Sequence, residues 1–223
     1  KIYLDDAGKP IEVVPYPRGI SEMMIEDFML SANETVAKEY RLRDIPFVYR
    51  VHAKPDPQRI KDLKKTLLGL GIHLGGDGDI TPKQIQRALK KAEDLPEKEL
   101  IELLALRSMQ HAEYLDEPIG HFGLAADDYC HFTSPIRRYA DLCVHRIIKA
   151  DLNNKLKKKK ISAYKKSLPA VCKHISERER TSEELERKVD KMKGSQQEKD
   201  FARYFKFLAS FNAADRPADF TSY

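Results

Sequence analysis

The side chains best suited to chemistry lie in residues 121–146, HFGLAADDYCHFTSPIRRYADLCVHR. This stretch combines histidines, cysteines, aromatic residues and two adjacent arginines. Its Ser134-Pro135 pair favours a helix start, because serine caps helix N-termini and proline suits the first helical position. We therefore predict a helix from Ser134 to about Leu152. The apolar stripe that would bury this helix contains Ile136, Ala140, Cys143, Val144 and Ile147.

Arg137 would then lie in the first turn of that helix. A permanent cation beside the positive end of the helix dipole is unfavourable, so its presence there favours a phosphate-binding role for its guanidinium and the nearby backbone N–H groups. Asp141, four residues later, would hold that guanidinium in place. Arg138 lies about 100° further around the helix and would point elsewhere. The alternative is an exposed capped helix whose Arg137 pairs only with Asp141.

Other stretches with candidate ligands have ordinary explanations. Asp5 and Asp6 fit a turn better than a metal site. The glycine-rich residues 69–79 lack both the lysine of a phosphate loop and the ligand spacing of a calcium loop. The lysine-rich residues 155–166 indicate a solvated surface, with attraction of a nucleic-acid backbone as the open alternative. A zinc site is not expected from the histidines and cysteines, whose spacing matches no compact zinc pattern: His121, Cys130, His131, Cys143 and His145.

The composition indicates a folded, charge-rich protein. Hydrophobic residues make up 41% of the 223 residues and charged residues 34%, with a net charge of +5. Disorder is excluded by this hydrophobic content, and no apolar run reaches the roughly 20 residues of a membrane helix. Three cysteines without a CxxC pair favour a reducing compartment, so we expect a cytoplasmic protein without membrane association.

The periodicity of the chain predicts an α+β fold, mostly helical with a few short strands. We expect a hairpin in residues 1–14, a strand at 46–51 and an extended piece at 120–125. Helices are expected at 57–70, at 81–93 with Thr81 as N-cap, and at 96–110. A further helix at 21–41 would have Ser21 as N-cap and an apolar face of Met24, Phe28, Ala32 and Val36. The last helix would run from residue 163 or 169 to Met192.

Residues 121–146 resemble the signature segment of the ribonuclease II and ribonuclease R family, in its RNB catalytic domain. MIEDFMLSANETVAKEY, PFVYRVH, TPKQIQRAL and ISERERTSEELERKVD follow in the family's order. The resemblance covers residues 1–192, and HFGLA together with Tyr114 favours the ribonuclease R branch. It implies that these residues form the C-terminal part of the catalytic domain. Residues 193–223 form an atypical tail, too short for the five-stranded S1 barrel that follows in the family.

The resemblance implies a processive 3′-to-5′ exoribonuclease that hydrolyses single-stranded RNA to 5′-monophosphates. The family holds Mg²⁺ with an aspartate cluster of the form D-x5-D-x-D-D, which precedes the hairpin that opens this chain. No such spacing occurs here. We therefore expect no metal ligands in this chain and no hydrolysis by it alone. The alternative is an RNA-binding homologue that has lost catalysis.

The resemblance also assigns site residues. Arg137 corresponds to the family's catalytic arginine, which would grip the scissile phosphate. The functional glutamate aligns with Glu186, with Glu183 or Glu184 as the register slips. The residues expected to line the path of the RNA are Tyr129, His131, Thr133, Ser134 and Arg138. Without the aspartate-bearing part of the domain, an apolar face would be exposed, which predicts non-native self-association of the chain.

Overall fold

The computed structural model describes residues 2–4, 10–13, 19–75 and 80–194, which form parts of two compact units. The first unit comprises residues 1–22 and 177–223, and the second comprises residues 23–176. The turn with Asp5 and Asp6 and the tail from residue 195 lie outside the described residues. Residues 76–79 of the glycine-rich stretch do so too.

The first unit contains the predicted hairpin. Strands β1 (Ile2–Leu4) and β2 (Pro10–Val13) pair antiparallel, with Ile2 opposite Val13 and Tyr3 opposite Glu12. Residues 20–22, at the beginning of the first helix, and residues 177–194, at the end of the last described helix, also belong to this unit.

The second unit is mostly helical, with one small sheet. Strand β3 (Tyr49–Val51) pairs antiparallel with β4 (Glu113–Leu115), so that Arg50 lies opposite Tyr114. Short strands among long helices confirm the α+β fold class. The helices, in chain order, are α1 (Ile20–Leu42), α2 (Pro57–Gly69), α3 (Pro82–Lys91), α4 (Lys98–Ser108), α5 (Tyr139–Leu152) and α6 (Lys158–Gly194).

One hydrophobic cluster of this unit joins α1, the β3–β4 sheet, α5 and the first half of α6. Phe47 is fully buried, and its ring stacks on that of Tyr40 at a centroid distance of 4.5 Å. Val144 and Ile147 of α5 pack into the same cluster, as does Cys172 of α6. These contacts support residues 129–134, the segment that leads into the turn before α5.

A second cluster joins α2, α3 and α4 through buried leucines, isoleucines and alanines. Asp56 caps α2 by accepting the N–H groups of Gln58 and Arg59. Thr81 caps α3 in a capping box with Gln84, which confirms the predicted N-cap. Helices α2 to α4 therefore begin and end close to where the sequence places them.

The predicted apolar face of α1 is confirmed at Val36, which packs against the core, and is wrong at Met24 and Phe28. Met24 and Phe28 are 49% and 64% exposed, whereas Asn33, Ala37 and Tyr40 are buried. A different side of the helix faces the core, because Tyr40 stacks on Phe47 and the buried Asn33 amide hydrogen-bonds Tyr129 and Phe132. Ser21 is also not the N-cap, since the helix already begins at Ile20.

Two further local predictions differ from the structure. Helix α6 begins at Lys158 and continues through Pro169, whereas the sequence suggested a start at residue 163 or 169. Residues 122–124 form a single 3-10 turn within the stretch expected to be extended. Among the described residues, every helix is too short or too polar to span a bilayer.

Candidate functional site

Helix α5 begins at Tyr139, so the predicted start at Ser134 and Pro135 is wrong. Pro135 to Arg137 form a separate turn, in which the N–H groups of Arg137 and Arg138 both donate to the Ser134 carbonyl, at 3.3 and 3.2 Å. Arg138 is then extended, with φ −123° and ψ 120°, and this breaks the helical path. The prediction that Arg137 lies in the first turn of this helix, beside the positive end of its dipole, is therefore wrong.

The buried carboxylate of Asp141 fixes both ends of this turn. Its side chain is 0% exposed and accepts the Ser134 N–H at 2.7 Å. It also accepts Nε and Nη2 of Arg138, at 2.8 and 2.9 Å. The predicted pairing of Asp141 with Arg137 is thus wrong. Asp141 binds Arg138 instead, because the extended backbone at Arg138 lets its guanidinium reach the carboxylate in bidentate geometry.

The apex of the turn presents Ile136 and Arg137 to solvent. Ile136 is fully exposed, which removes it from the predicted stripe, while the other four members of that stripe are buried. Arg137 is exposed, and its guanidinium has no hydrogen-bond or ion-pair partner among the described residues. A charged fork on a turn held at both ends is free to bind an anion.

Asn33 of α1 holds the segment before the turn. Its amide Nδ2 donates to the Tyr129 hydroxyl and its Oδ1 accepts the Phe132 N–H, both at 3.0 Å. Its backbone carbonyl accepts the thiol of Cys130 at 3.3 Å. Asn33 is 3% exposed, so both polar ends of its amide are satisfied within the core.

Contacts from other elements complete this support. The Arg50 N–H in β3 donates to the Tyr129 carbonyl at 2.9 Å. His145 of α5 donates from Nε2 to the Phe132 carbonyl at 2.8 Å, and the two rings stack at 4.5 Å. A segment with almost no regular secondary structure is thereby fixed by side chains of α1 and α5 and by a backbone N–H of β3.

A row of aromatic and imidazole rings lies behind the segment. Tyr114, His131, Tyr129 and His121 contact one another in sequence, edge to face, with centroids 5.4 to 5.8 Å apart. The Tyr114 hydroxyl hydrogen-bonds Nδ1 of His131 at 2.8 Å. Burial lowers the pKa of His131 to about 3, and the nearby cations Arg138 and Arg50 act in the same direction. His131 is therefore neutral at pH 7.

The HFGLA motif continues this row. Gly123 donates its N–H to Nδ1 of His52 at 3.0 Å. A Cβ at Gly123 would lie 2.7 Å from the same atom, so this approach requires glycine. His121 accepts the Leu124 N–H at Nδ1, and burial lowers the pKa of His121 to about 4. The motif thus contributes to the packing of these rings.

The structure gathers most of the predicted site residues around the turn. His131, Thr133 and Ser134 are all half-buried. Tyr129 is 7% exposed, so it supports the segment from within the core. Glu186 lies in the first unit, on α6, with an exposed side chain. The RNA contacts of these residues stay predictions. Within the described ranges, no cluster of three or more histidine, cysteine, aspartate or glutamate side chains is suited to hold a metal ion.

Sequence reasoning missed Asn33 and the partner of Asp141. Asn33 lies on the side of α1 that faces the core, where a polar side chain must find hydrogen-bond partners. That requirement was readable from the sequence, although the partners, nearly 100 residues away, were not. Arg138 was expected to point elsewhere and Asp141 to hold Arg137, because the helix was assumed to begin at Ser134, whereas it begins at Tyr139.

The neutral His131 predicts a pH dependence of stability. The pKa in the folded protein is depressed below 6.5, so the neutral form's contribution is fully present above pH 6.5 and is lost as the pH falls toward 3. We expect the urea midpoint to drop between pH 7 and pH 5, and to drop less in H131Q. The exposed His73→Gln serves as control and should keep the wild-type drop. An equal drop in H131Q would contradict the assignment.

Comparison with known proteins places the chain. The RNB domain family profile matches residues 1–154. Ribonuclease R of Thermotoga maritima is 46% identical over 188 residues, which are 83% of this chain and 26% of that protein. The chain therefore spans about a quarter of the length of this relative.

Solved structures agree with this match. The apo form of Mycoplasma genitalium RNase R has a TM-score of 0.81 at 30% identity, covering 88% of this chain and 31% of that one. The same protein in complex with ribose methylated single-stranded RNA has a TM-score of 0.73 at 32% identity, covering 80% and 28%. Yeast Ssd1, a pseudonuclease, has a TM-score of 0.60 at 25% identity, covering 72% and 20%. With a profile match over most of its length and ribonuclease R as its relatives, this chain belongs to the RNB family.

Proposed function

We propose that this chain forms one wall of the catalytic cavity of a 3′-to-5′ exoribonuclease that hydrolyses single-stranded RNA to 5′-monophosphates. The observation that carries the proposal is the exposed Arg137 guanidinium on a turn pinned at both ends by Asp141. Such a group can grip the scissile phosphate and stabilise the negative charge of the transition state without first being reorganised.

The surroundings of Arg137 suit a phosphate. Burial has the largest effect on the pKa of His131, and the cations Arg138, Arg50 and Arg137 lower that pKa further. All three arginines therefore lie near His131. The Asp141 carboxylate is directed to Arg138 and the Ser134 N–H, which leaves the charge of Arg137 uncompensated at the surface. RNA passing this wall would meet Thr133, Ser134 and His131 before Arg137, and Tyr129 would hold the path from below.

The metal chemistry of the reaction would come from elsewhere in a protein of the relatives' full length. Within the described residues no side-chain cluster fits a metal ion, and the whole sequence lacks the D-x5-D-x-D-D spacing. A divalent ion, Mg²⁺ in our proposal, would activate the attacking water when bound there. Residues 1–192 would supply the opposite wall. The three buried cysteines, all unpaired, fit a cytoplasmic location.

The second candidate is an RNA-binding protein without nuclease activity. The structural similarity to yeast Ssd1, a pseudonuclease, supports this second candidate, because that protein combines a similar fold with the absence of nuclease activity. The two candidates differ in the aspartate cluster that a protein of the relatives' length would carry before this segment. An intact cluster supports the enzyme, and a broken cluster supports the binding protein.

The chain by itself is expected to show no Mg²⁺-dependent degradation of a 5′-labelled single-stranded RNA. We also expect it to self-associate, because α1 exposes Met24, Ile25 and Phe28 at 49%, 50% and 64%. Gel electrophoresis of the RNA and light scattering of the protein measure the two outcomes. Shortening of the RNA from its 3′ end would show that the chain holds a complete active site.

Arg137→Ala in the full-length protein is expected to lower kcat by about 100-fold or more while RNA affinity is mostly kept, since the lost contact belongs to the transition state. The exposed Arg87→Ala of α3 is the matched control and should retain wild-type turnover. Single-turnover kinetics measure the effect on turnover, and an RNA-binding titration measures the effect on RNA affinity. Unchanged turnover in R137A would remove Arg137 from the mechanism.

Glu186→Gln tests the second proposed site residue. If Glu186 contacts the 3′-terminal nucleotide, its amide variant should lower turnover more than Glu183→Gln and Glu184→Gln, the exposed neighbours on the same helix. Comparison of the three variants on one RNA substrate fixes the register. A larger loss at Glu183 or Glu184 would move the assignment to that residue.

A further inference from the structure

The turn that carries Arg137 depends on one carboxylate from the helix that follows it. Asp141 lies in the first turn of α5 and is 0% exposed. Its Oδ2 accepts the Ser134 N–H at 2.7 Å and Nη2 of Arg138 at 2.9 Å, while Oδ1 accepts Nε of Arg138 at 2.8 Å. The residue before Pro135 and the residue after Arg137 are therefore tied to the same group.

We propose that Asp141 is a positioning residue for Arg137, through the backbone turn that it closes. This inference rests on the role proposed for Arg137. The carboxylate makes no contact with Arg137 itself, so it acts on the position of the guanidinium and not on its charge state. Arg138 is the second half of the clamp, since its side chain is only 20% exposed and two of its nitrogens are directed to Asp141.

The physical need for such a clamp follows from the backbone. The turn at 135–137 has only two backbone hydrogen bonds, both to the Ser134 carbonyl, and the helix does not continue through Arg138. With an exposed Ile136 and an exposed Arg137 at its apex, the turn has no core packing of its own there. Its conformation is therefore set by the three hydrogen bonds to Asp141, and a displacement of about 1 Å at a catalytic group can lower the rate about 100-fold.

The chain offers a matched control on the same helix. Asp151, at the C-terminal end of α5, also binds an arginine in bidentate geometry, accepting Nη1 and Nη2 of Arg43 at 2.7 and 2.8 Å. The Asp151 carboxylate also accepts the Tyr40 hydroxyl at 3.0 Å, and both of its partners lie outside the turn. Asp141→Asn and Asp151→Asn each remove one carboxylate from a bidentate pair with arginine, and only the first removes the clamp. The Asp151 side chain is more exposed, 17% against 0% for Asp141.

In the full-length protein, D141N is expected to lower kcat by about 10- to 100-fold with the KM for RNA nearly unchanged. D151N is expected to keep wild-type kcat, even where its thermal midpoint falls as much. Single-turnover kinetics, RNA titration and thermal unfolding of each variant provide the three readouts. A fall in kcat of equal size in D151N, or a fall in RNA affinity without one in kcat, would overturn the proposal.

A double-mutant cycle distinguishes positioning from a general structural effect. If Asp141 acts through Arg137, then D141N adds little to the loss already caused by R137A, so the coupling is large. Additive losses in the double variant would overturn the proposal. If R137A alone has no effect, the proposed function of Arg137 fails first. If R137A lowers kcat and D141N does not, only the role of Asp141 fails.

A paired variant keeps the test valid if D141N does not fold. D141N leaves the buried Arg138 guanidinium without its carboxylate, which is the destabilising part of the change. Combining D141N with R138Q removes that unpaired charge and lets two amides hydrogen-bond across the same site. The pair is expected to fold and to keep a reduced kcat, because the turn is held by fewer and weaker bonds. Wild-type kcat in the folded pair would overturn the proposal.

Discussion

The hydrogen bonds from Ser134 and Arg138 to the buried Asp141 carboxylate are the constraint around which this region is built. They close a turn that has little backbone bonding of its own, and they direct Arg138 inward, so that Arg137 is the exposed one of the two arginines. A carboxylate removed from water is unfavourable unless its oxygens are satisfied, and here three donors satisfy them. The same bonds therefore keep Asp141 compatible with the core and fix the exposed arginine.

The support for the turn reaches into elements far away in sequence. Asn33 on α1 holds Tyr129, Cys130 and Phe132 through three hydrogen bonds. His145 on α5 holds the same stretch from its other side. Irregular backbone of this kind is stable only when side chains replace the hydrogen bonds of regular structure. The helices of this RNB-family chain thus act as a frame for an irregular loop.

The ring row beneath the loop adds an electrostatic condition. His131 and His121 are neutral because burial and nearby arginines disfavour their protonation. Because these rings are neutral, they do not repel the nearby arginines. The rings beneath the loop therefore add no charge of their own, and Arg137 carries the exposed positive charge of the turn. Gly123 makes this packing feasible, since its N–H reaches the His52 ring where any side chain would collide.

The sequence by itself determined the helices whose signals are local. Thr81, Pro82 and Gln84 define the start of α3, and the buried positions of α5 from Ala140 to Ile147 follow its periodicity. The motif order also determined the family and pointed to Arg137. Only the tertiary structure decided that Ser134-Pro135 opens a turn and not the helix, that Arg138 is the partner of Asp141, and that Asn33 faces the core. The physical reason is that each of these depends on competition between a local preference and a bond to a group that the fold brings near. A capping signal predicts a helix start, but three hydrogen bonds to a buried carboxylate outweigh it.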